Sequence, residues 1–186
     1  GSKGAGFVGM LTVAYLAFPD QSDTWGPLLW ILAALSMTIG NLVAIQQTNI
    51  VRLLGYSSIA QAGFMVAPFG AAAAAGADLE EAFAATVAYL LIYAVMNLGA
   101  FGVIVAGGAR LKSYELDDWS GMYRWAPGLA ILLSLFFMSL AGIPPLAGWF
   151  AKLAMFSATI SVGSGWGYSI AIIAALNAVV ALVYYS

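Results

Sequence analysis

Leu140-Ala-Gly-Ile-Pro-Pro-Leu-Ala-Gly148 decides the fold, because this stretch interrupts the longest apolar run of the chain. The run extends from Ala126 to Val162, and its 37 residues would form about 55 Å of continuous helix, nearly twice the ~30 Å of a bilayer core. Prolines remove amide donors and glycines loosen the backbone, so the helix should end and restart within residues 141–147. The sequence therefore predicts two half-helices, and the residues that mark the break are Gly142, Pro144, Pro145 and Gly148.

The composition excludes an ordinary soluble domain. Of the 186 residues, 63% are hydrophobic and only 8% are charged, and the mean hydropathy is +0.95. Globular chains carry roughly 25% charged residues, so this chain lacks the polar material for a water-facing surface and should lie in a lipid bilayer. The net charge of -2 comes from few and scattered residues, and it does not indicate nucleic-acid binding.

Six apolar runs are long enough to be candidate membrane spans, and turn-forming sequences separate them. None alternates with the period of two that a barrel strand would show, so the fold class is an all-α polytopic transmembrane helix bundle with one broken helix. The first run has only 16 residues, and we expect it to belong to a longer, truncated chain. The candidate spans are Lys3–Phe18, Trp25–Gln47, Asn49–Phe69, Leu79–Ala106, Ala126–Val162 and Gly167–Ser186.

The loop charges predict the orientation of the bundle. If all six spans cross, every loop Lys and Arg lies on one side, and the other side carries only acidic residues. By the positive-inside rule, loops 47–52 and 108–125 are cytoplasmic in a multi-pass protein of the inner or plasma membrane. Residues 110–125 alternate charged with aromatic side chains, which is typical of a short amphipathic segment at the interface.

Lys152 is a charged residue inside the interrupted run, seven positions after Pro145. No acidic residue lies within thirty positions, and a lone ammonium in the membrane costs roughly 2.5–3.5 kcal/mol on insertion scales. It either snorkels from a helix end or faces a hydrated cavity where it exchanges protons. At least ten residues of the run follow it, which favours the cavity. Lys3 leaves the same two interpretations open, an interfacial anchor or a second buried lysine.

The third span carries more polar groups than a lipid-facing helix does. Tyr56, Ser57, Ser58 and Gln61 are predicted to face protein or water, because hydrocarbon offers them no partner. Two interpretations stay open. These side chains hydrogen-bond between helices, or they support a proton relay.

Three asparagines, Asn41, Asn97 and Asn177, lie in the middle of other spans. We expect them to hydrogen-bond between helices or to hold relay water. Tyr184 and Tyr185 lie near a span end, where aromatic belts form, and we assign them no chemistry.

The chain has no Cys and no His, which excludes disulfides, haem or iron–sulfur ligation and His-based metal sites in this sequence. A phosphate-binding glycine loop, a catalytic carboxylate pair and a nucleophile with its base are also missing from the sequence. Catalytic and metal-ligating residues are therefore not expected.

Two long motifs carry a family resemblance: Arg52-Leu-Leu-Gly-Tyr-Ser-Ser-Ile-Ala-Gln-Ala-Gly-Phe64 and Phe137-Met-Ser-Leu-Ala-Gly-Ile-Pro-Pro-Leu-Ala-Gly-Trp-Phe-Ala-Lys152. Both closely resemble the antiporter-like membrane subunits of respiratory complex I, the NADH:quinone oxidoreductase. Shorter stretches at residues 1–4, 115–119 and 176–185 are also similar to that family, so the resemblance covers nearly the whole chain.

In that family, two inverted five-helix repeats each contain one broken helix with an ionisable residue in the membrane. The resemblance implies that residues 25–186 form the second repeat and residues 1–18 the last helix of a truncated first repeat. It also implies that Lys152 and Lys3 are proton-carrying lysines. Family members often carry His where Gln61 stands, which weakens a titrating role at that position here.

The implied function is proton translocation through buried lysines and water, by a membrane subunit of the NADH:quinone oxidoreductase, a translocase. The resemblance implies no cofactor in this chain. It places NADH, FMN, iron–sulfur clusters and quinone in partner subunits, both membrane and peripheral. Two alternatives stay open: a subunit of a multi-subunit cation/proton antiporter with the same fold, and a structural membrane subunit whose lysines only snorkel or bind lipid headgroups.

Overall fold

The described chain is built from helices. A computed structural model describes residues 2–18 and 21–185, with side chains from residue 5 onward. A π-helical turn, Val13–Ala17, continues the first helix, and a 3₁₀ turn, Leu116–Trp119, precedes the fifth. The helices are α1 Ser2–Thr12, α2 Ser22–Ile45, α3 Ile50–Ala74, α4 Glu80–Leu111, α5 Met122–Trp125, α6 Pro127–Ala141, α7 Ala147–Ser161 and α8 Gly165–Tyr185.

Four of these helices, α2, α3, α4 and α8, are long and apolar enough to cross a membrane. Helices α6 and α7 have 15 residues each, about 22 Å, so each is a half-helix too short to cross ~30 Å alone. The chain between them ends one helix at Ala141 and begins the next at Ala147. The all-α bundle with one broken helix that the sequence predicts is confirmed.

Two helices continue beyond their predicted ends. Helix α3 extends to Ala74 rather than Phe69, because alanine, the best helix former, fills its last turn. Helix α4 extends to Leu111 rather than Ala106, and it ends where Lys112 adopts a left-handed conformation with φ of 56°. Alanine and glycine at these two ends are small residues that are also compatible with a closely packed helix.

Helices α2 and α3 form an antiparallel hairpin whose backbones touch. Along the contact, a Cβ on any of four glycines would come within 3.0 Å of atoms of the opposite helix. Gly63 is an example, since its Cβ would lie 2.6 Å from the Ala33 carbonyl oxygen and 2.7 Å from Met37 Cγ. Small residues allow this close approach. Inside lipid no hydrophobic effect drives helices together, and the van der Waals contact between the two backbones holds the hairpin instead. The four glycines are Gly26, Gly40, Gly63 and Gly70.

The broken helix packs on this hairpin directly, through the contact of α7 with α3, and also through α4 and α8. Helix α4 contacts α3, α6 and α7, and helix α8 contacts α2, α3, α6 and α7. Eighteen residues of α3 are buried, more than in any other helix of the described chain. Three polar residues of α3, Ser57, Ser58 and Gln61, are thereby enclosed by protein.

Residues 112–126 fold back onto the turn between α2 and α3. The amide of Ile50 donates to the Tyr114 carbonyl at 2.9 Å, and the amide of Leu116 donates to the Thr48 carbonyl at 2.7 Å. Asn49 caps α3 through its side-chain oxygen and donates to Glu115 Oε1 at 3.1 Å. Trp119 is buried against the Gly107 backbone. The segment has one buried and one exposed face, and its position at a membrane interface stays a prediction.

We expect Gly63→Ala to destabilise the protein by about 1–3 kcal/mol, because the added methyl forces α2 and α3 apart. Gly55→Ala in the same helix is the matched control, since its Cβ meets no atom within 4 Å. Alanine is a better helix former than glycine, so this control should unfold at the wild-type temperature or above it. Thermal unfolding of the purified proteins measures both. Equal stability of the two variants would contradict a tight hairpin contact.

Candidate functional site

The end of α6 is closed by its own backbone. Gly142 has a φ of +90°, a left-handed conformation that favours glycine, and it turns the chain out of the helix. Its amide donates to the Ser139 carbonyl at 3.0 Å, and the Ile143 amide donates to the Met138 carbonyl at 3.0 Å. This pair of bonds is a Schellman motif, and it satisfies two of the four carbonyls that the helix end leaves open.

Side chains from α3 and α7 satisfy the other two carbonyls. Gln61 Nε2 donates to the Leu140 carbonyl at 3.1 Å, and Lys152 Nζ donates to the Ala141 carbonyl at 2.6 Å. The C-terminal end of a helix carries a partial negative charge, so an ammonium is favoured there. The break therefore provides a binding position for a cation without any carboxylate.

Lys152 is deeply enclosed, with 5% of its surface exposed. Its Nζ lies 5.2 Å from the centre of the Phe64 ring, a cation–π distance. Its aliphatic stem passes against Gly142, where a Cβ would come within 2.7 Å of Lys152 Cδ. Among the described residues no acidic side chain forms an ion pair with it. The contacts that stabilise its charge are the Ala141 carbonyl and the face of the Phe64 ring.

Helix α7 begins in direct contact with the end of α6. The amide of Gly148 donates to Ser139 Oγ at 3.1 Å, and Ser139 Oγ lies 2.7 Å from Met96 Sδ of α4. A Cβ at Gly148 would lie 1.7 Å from the Ser139 carbonyl oxygen, so only glycine allows this approach. The two half-helices are consequently held together at the break. The Lys152 side chain extends from α7 back to the last residue of α6.

Gln61 also connects the break to α4. The hydroxyl of Tyr89 donates to Gln61 Oε1 at 2.6 Å, and the two residues are 2% and 1% exposed. Both ends of the Gln61 amide are therefore occupied, one by Tyr89 and one by the Leu140 carbonyl.

A second polar line joins α3, α8 and α2. Ser57 Oγ hydrogen-bonds the Tyr185 hydroxyl, and the neighbouring Tyr184 hydroxyl donates to Asn41 Oδ1 at 2.8 Å. Asn41 Nδ2 in turn donates to Asn177 Oδ1 at 3.0 Å. The rings of Tyr184 and Tyr185 are 4.6 Å apart, so the line continues across both tyrosines. It contains two of the mid-span asparagines in the hydrogen-bonding role expected from the sequence.

The structure brings together some of the predicted site residues and separates others. Lys152 and Gln61 lie within one contact network with Gly142 and Gly148, and Ser57 and Ser58 are buried. Pro144 and Pro145 lie in the exposed turn between the two half-helices. Tyr56 is 37% exposed on a face of α3 that it shares with Arg52 and Ile59, and the expectation that it faces protein or water stays a prediction. Asn97 is half-buried, and its side-chain amide hydrogen-bonds to no described residue. The side chain of Lys3 lies outside the described residues.

Tyrosines and a phenylalanine complete the site, and sequence reasoning missed them. Tyr185 is 6% exposed and hydrogen-bonded, so it is not a residue of an exposed aromatic belt. Tyr89 and Phe64 stand in apolar runs where an aromatic residue is ordinary packing material. Only the neighbours that the fold provides reveal their roles. A weak signal exists for Tyr89, since Tyr93 follows at the i+4 spacing that places two hydroxyls on one helix face.

A cleft of about 360 Å³ opens beside the break, between α6 and α8. Ala141, whose carbonyl binds Lys152, and Tyr185, which hydrogen-bonds Ser57, both lie on its wall. The volume corresponds to several water molecules at ~30 Å³ each, and Ser134 and Tyr185 supply polar groups. Its lining consists of Leu133, Ser134, Phe137, Met138, Ala141, Ile143, Leu182 and Tyr185.

Comparison with known proteins gives consistent matches along the chain. Residues 3–177 match the family described as NADH:quinone oxidoreductase/Mrp antiporter, TM. NADH-quinone oxidoreductase subunit N 2 of Streptomyces griseus is 44% identical over 98% of this chain and 34% of its own length. NADH-quinone oxidoreductase subunit N of Trichlorobacter lovleyi is 41% identical over 100% of this chain and 36% of its own length. The chain thus spans about a third of the length of these relatives.

A solved structure gives the same result. A chain of respiratory complex I from Thermus thermophilus with bound aureothin superposes with a TM-score of 0.68 at 32% identity. The match covers 85% of this chain and 34% of that one. The arrangement of helices around the break therefore occurs in a known membrane complex.

We expect Gly142→Ala to destabilise the protein more than Gly163→Ala does. Both glycines have positive φ, +90° and +63°, so both variants carry the backbone strain. Only at position 142 does the new methyl also meet the Lys152 stem, and such overpacking costs about 1–3 kcal/mol. Thermal unfolding measures the difference. In a Lys152→Ala background the two penalties should become equal, and a difference that persists there would show that Lys152 is not the obstructing group.

Proposed function

The chain belongs to the NADH:quinone oxidoreductase/Mrp antiporter transmembrane family, and we propose that it forms part of a proton-translocating membrane subunit of an NADH:quinone oxidoreductase. The observation that carries this proposal is the Lys152 ammonium, buried at a helix break and held by the Ala141 carbonyl. Curated relatives from two bacteria are named as subunit N of NADH-quinone oxidoreductase, which supports the choice of enzyme.

Lys152 is suited to carry one proton at a time. In its protonated form the ammonium is stabilised by the Ala141 carbonyl, the α6 dipole and the Phe64 ring. In its neutral form the amine removes a charge from a low-dielectric interior, which offsets the loss of those contacts. A change of charge nearby shifts the balance between the two forms, and in this proposal such changes load and release the proton.

Water supplies the route to and from Lys152 in this proposal. The cleft beside the break reaches Ala141, the residue whose carbonyl holds the ammonium. Ser134 and Tyr185 line this cleft with hydroxyl groups that hydrogen-bond water, and Ser57 lies behind Tyr185, hydrogen-bonded to its hydroxyl. The transfer step is simple: the Lys152 ammonium gives a proton to a water molecule and becomes an amine, and another proton later restores it.

The energy comes from outside this chain. We propose that partner subunits, membrane and peripheral, oxidise NADH and reduce quinone with their FMN and iron–sulfur clusters. Residues 25–186 then form the second five-helix repeat and residues 1–18 the last helix of a first repeat, with Lys3 as a second proton-carrying lysine. The relatives are about three times as long as this chain, which leaves room for the rest of that first repeat.

The alternative is a subunit of a multi-subunit cation/proton antiporter, because the matched family includes such proteins. The curated relatives are named for quinone oxidoreductases and favour the first function. Copurification distinguishes the two: an enzyme subunit should purify with flavin- and iron–sulfur-containing proteins, and an antiporter subunit should not.

We expect Lys152→Met to assemble but to lose proton pumping. Methionine keeps most of the aliphatic stem and removes the titratable nitrogen. Proton transfer by a positioned side chain accelerates such steps by roughly 10²–10⁴-fold, so the pumping rate should fall at least about tenfold. Lys152→Arg should restore little, because a guanidinium keeps its proton throughout the cycle. Pumping is measured in reconstituted vesicles and normalised to assembled complex.

Lys112→Met is the matched control, since it removes the same charge from an exposed loop position. It should pump at the wild-type rate. If Lys152→Met also keeps the wild-type rate and proton-to-electron ratio, Lys152 is a structural residue and the proposed function of this site is wrong.

The loop charges give a prediction of orientation, with residues 108–125 in the cytoplasm. The chain has no cysteine, so single-cysteine variants can be labelled without background from this chain. Ser120, in the connection between α4 and α5, and Thr24, in the first turn of α2, are exposed positions on opposite sides of the bundle. In intact cells, an impermeant maleimide should modify Thr24→Cys and leave Ser120→Cys unmodified. The reverse pattern would invert the proposed topology.

A further inference from the structure

The amide of Gln61 is held in one orientation by its two partners. Leu140 offers a carbonyl, which only accepts, so the nitrogen of the Gln61 amide must face it. The oxygen then faces Tyr89, whose hydroxyl donates to it at 2.6 Å. Without that donor the amide oxygen would be buried with no partner, because Gln61 is 1% exposed. The Tyr89 hydroxyl is therefore part of what fixes the amide.

The Leu140 carbonyl precedes the carbonyl that binds the cation. Leu140 and Ala141 are consecutive residues in the last turn of α6, and the flexible Gly142 follows them directly. A hydrogen bond that holds the Leu140 carbonyl thus fixes the peptide directly before the one that presents the Ala141 oxygen to Lys152 Nζ at 2.6 Å. Four helices meet in this chain of contacts, α4 through Tyr89, α3 through Gln61, α6 through the two carbonyls and α7 through Lys152.

A proton relay does not explain this arrangement. A carboxamide is neutral and does not take up and release protons as an acid or base does, and the Tyr89 proton is directed at Gln61. What the contacts supply is rigidity. A displacement of even a fraction of an ångström at the carbonyl weakens a charge-assisted hydrogen bond of this length.

We propose that Tyr89 is a positioning residue for proton transfer: its hydroxyl, acting through Gln61, holds the end of α6 so that the Ala141 carbonyl receives the Lys152 ammonium. This inference rests on the proposed function of Lys152. It assigns a task to a residue that the sequence presents as ordinary apolar-span material, and it changes the interpretation of Gln61 from relay to support.

A double-mutant cycle on the assembled complex tests the proposal. Tyr89→Phe keeps the ring and its packing, and removes only the hydroxyl. Loss of one neutral hydrogen bond should lower the pumping rate about two- to tenfold, with the apparent KM for NADH unchanged, because NADH binds elsewhere. In a Gln61→Leu background the same substitution should change the rate less than about twofold, since the group through which Tyr89 acts is already missing. Tyr168→Phe removes a hydroxyl from an exposed position of α8 and is the matched control, expected to pump like wild type.

Two results would overturn the inference. One is wild-type pumping by Tyr89→Phe, which would mean that the ring alone matters. The other is an equal loss in both backgrounds, which would mean that Tyr89 acts independently of Gln61. The Lys152→Met variant, measured in parallel, separates this failure from that of the proposed function. If Lys152→Met abolishes pumping while Tyr89→Phe is neutral, only the role of Tyr89 is wrong; if Lys152→Met pumps normally, the proposed function itself fails.

Discussion

A helix that ends inside a bundle leaves carbonyl oxygens without donors, and the contact between Lys152 Nζ and the Ala141 carbonyl resolves this problem for α6. The same contact stabilises the charge on the lysine, so each group provides the partner that the other lacks. Neither is stable alone at this depth, because a lone ammonium and an unsatisfied carbonyl are both unfavourable away from water. The break and the buried lysine therefore form one feature of the fold, and a change in either should disturb the other.

The surrounding helices hold this feature in place without supplying charge. The α2–α3 hairpin is drawn together through glycine contacts, and its inner face presents Gln61 and Phe64 to the break. Helix α4 adds Tyr89 and Met96. All of these neighbours are neutral, and their dipoles are fixed by packing. An environment of this kind stabilises an ion because its dipoles are already oriented toward it when the ion forms.

The sequence predicts the fold well because the signals are strong and local. Span lengths, turn residues and the Gly-Ile-Pro-Pro break are enough for a bundle with one interrupted helix, and Lys152 is conspicuous as a charge in an apolar run. The residues that surround Lys152 and hold the helix break are not predictable in this way. Tyr89 and Phe64 are far from it in sequence and look like packing residues, so only the tertiary contacts identify them. Tyr56 lies next to Ser57 in the sequence but on an exposed face of α3, so the buried and exposed members of that polar group separate only once the helix is formed.

The identity of the partner of Lys152 has an electrical consequence. A lysine paired with a carboxylate could pass its proton across the pair and leave the net charge of the interior unchanged. A backbone carbonyl cannot take that proton, so every change in the protonation of Lys152 alters the local charge by one full unit. At 15 Å and an effective dielectric constant of about 20, such a unit acts on another charge with about 1 kcal/mol. If Lys152 carries protons as proposed, the helix break converts each one into a long-range electrostatic signal that acts on charged groups nearby.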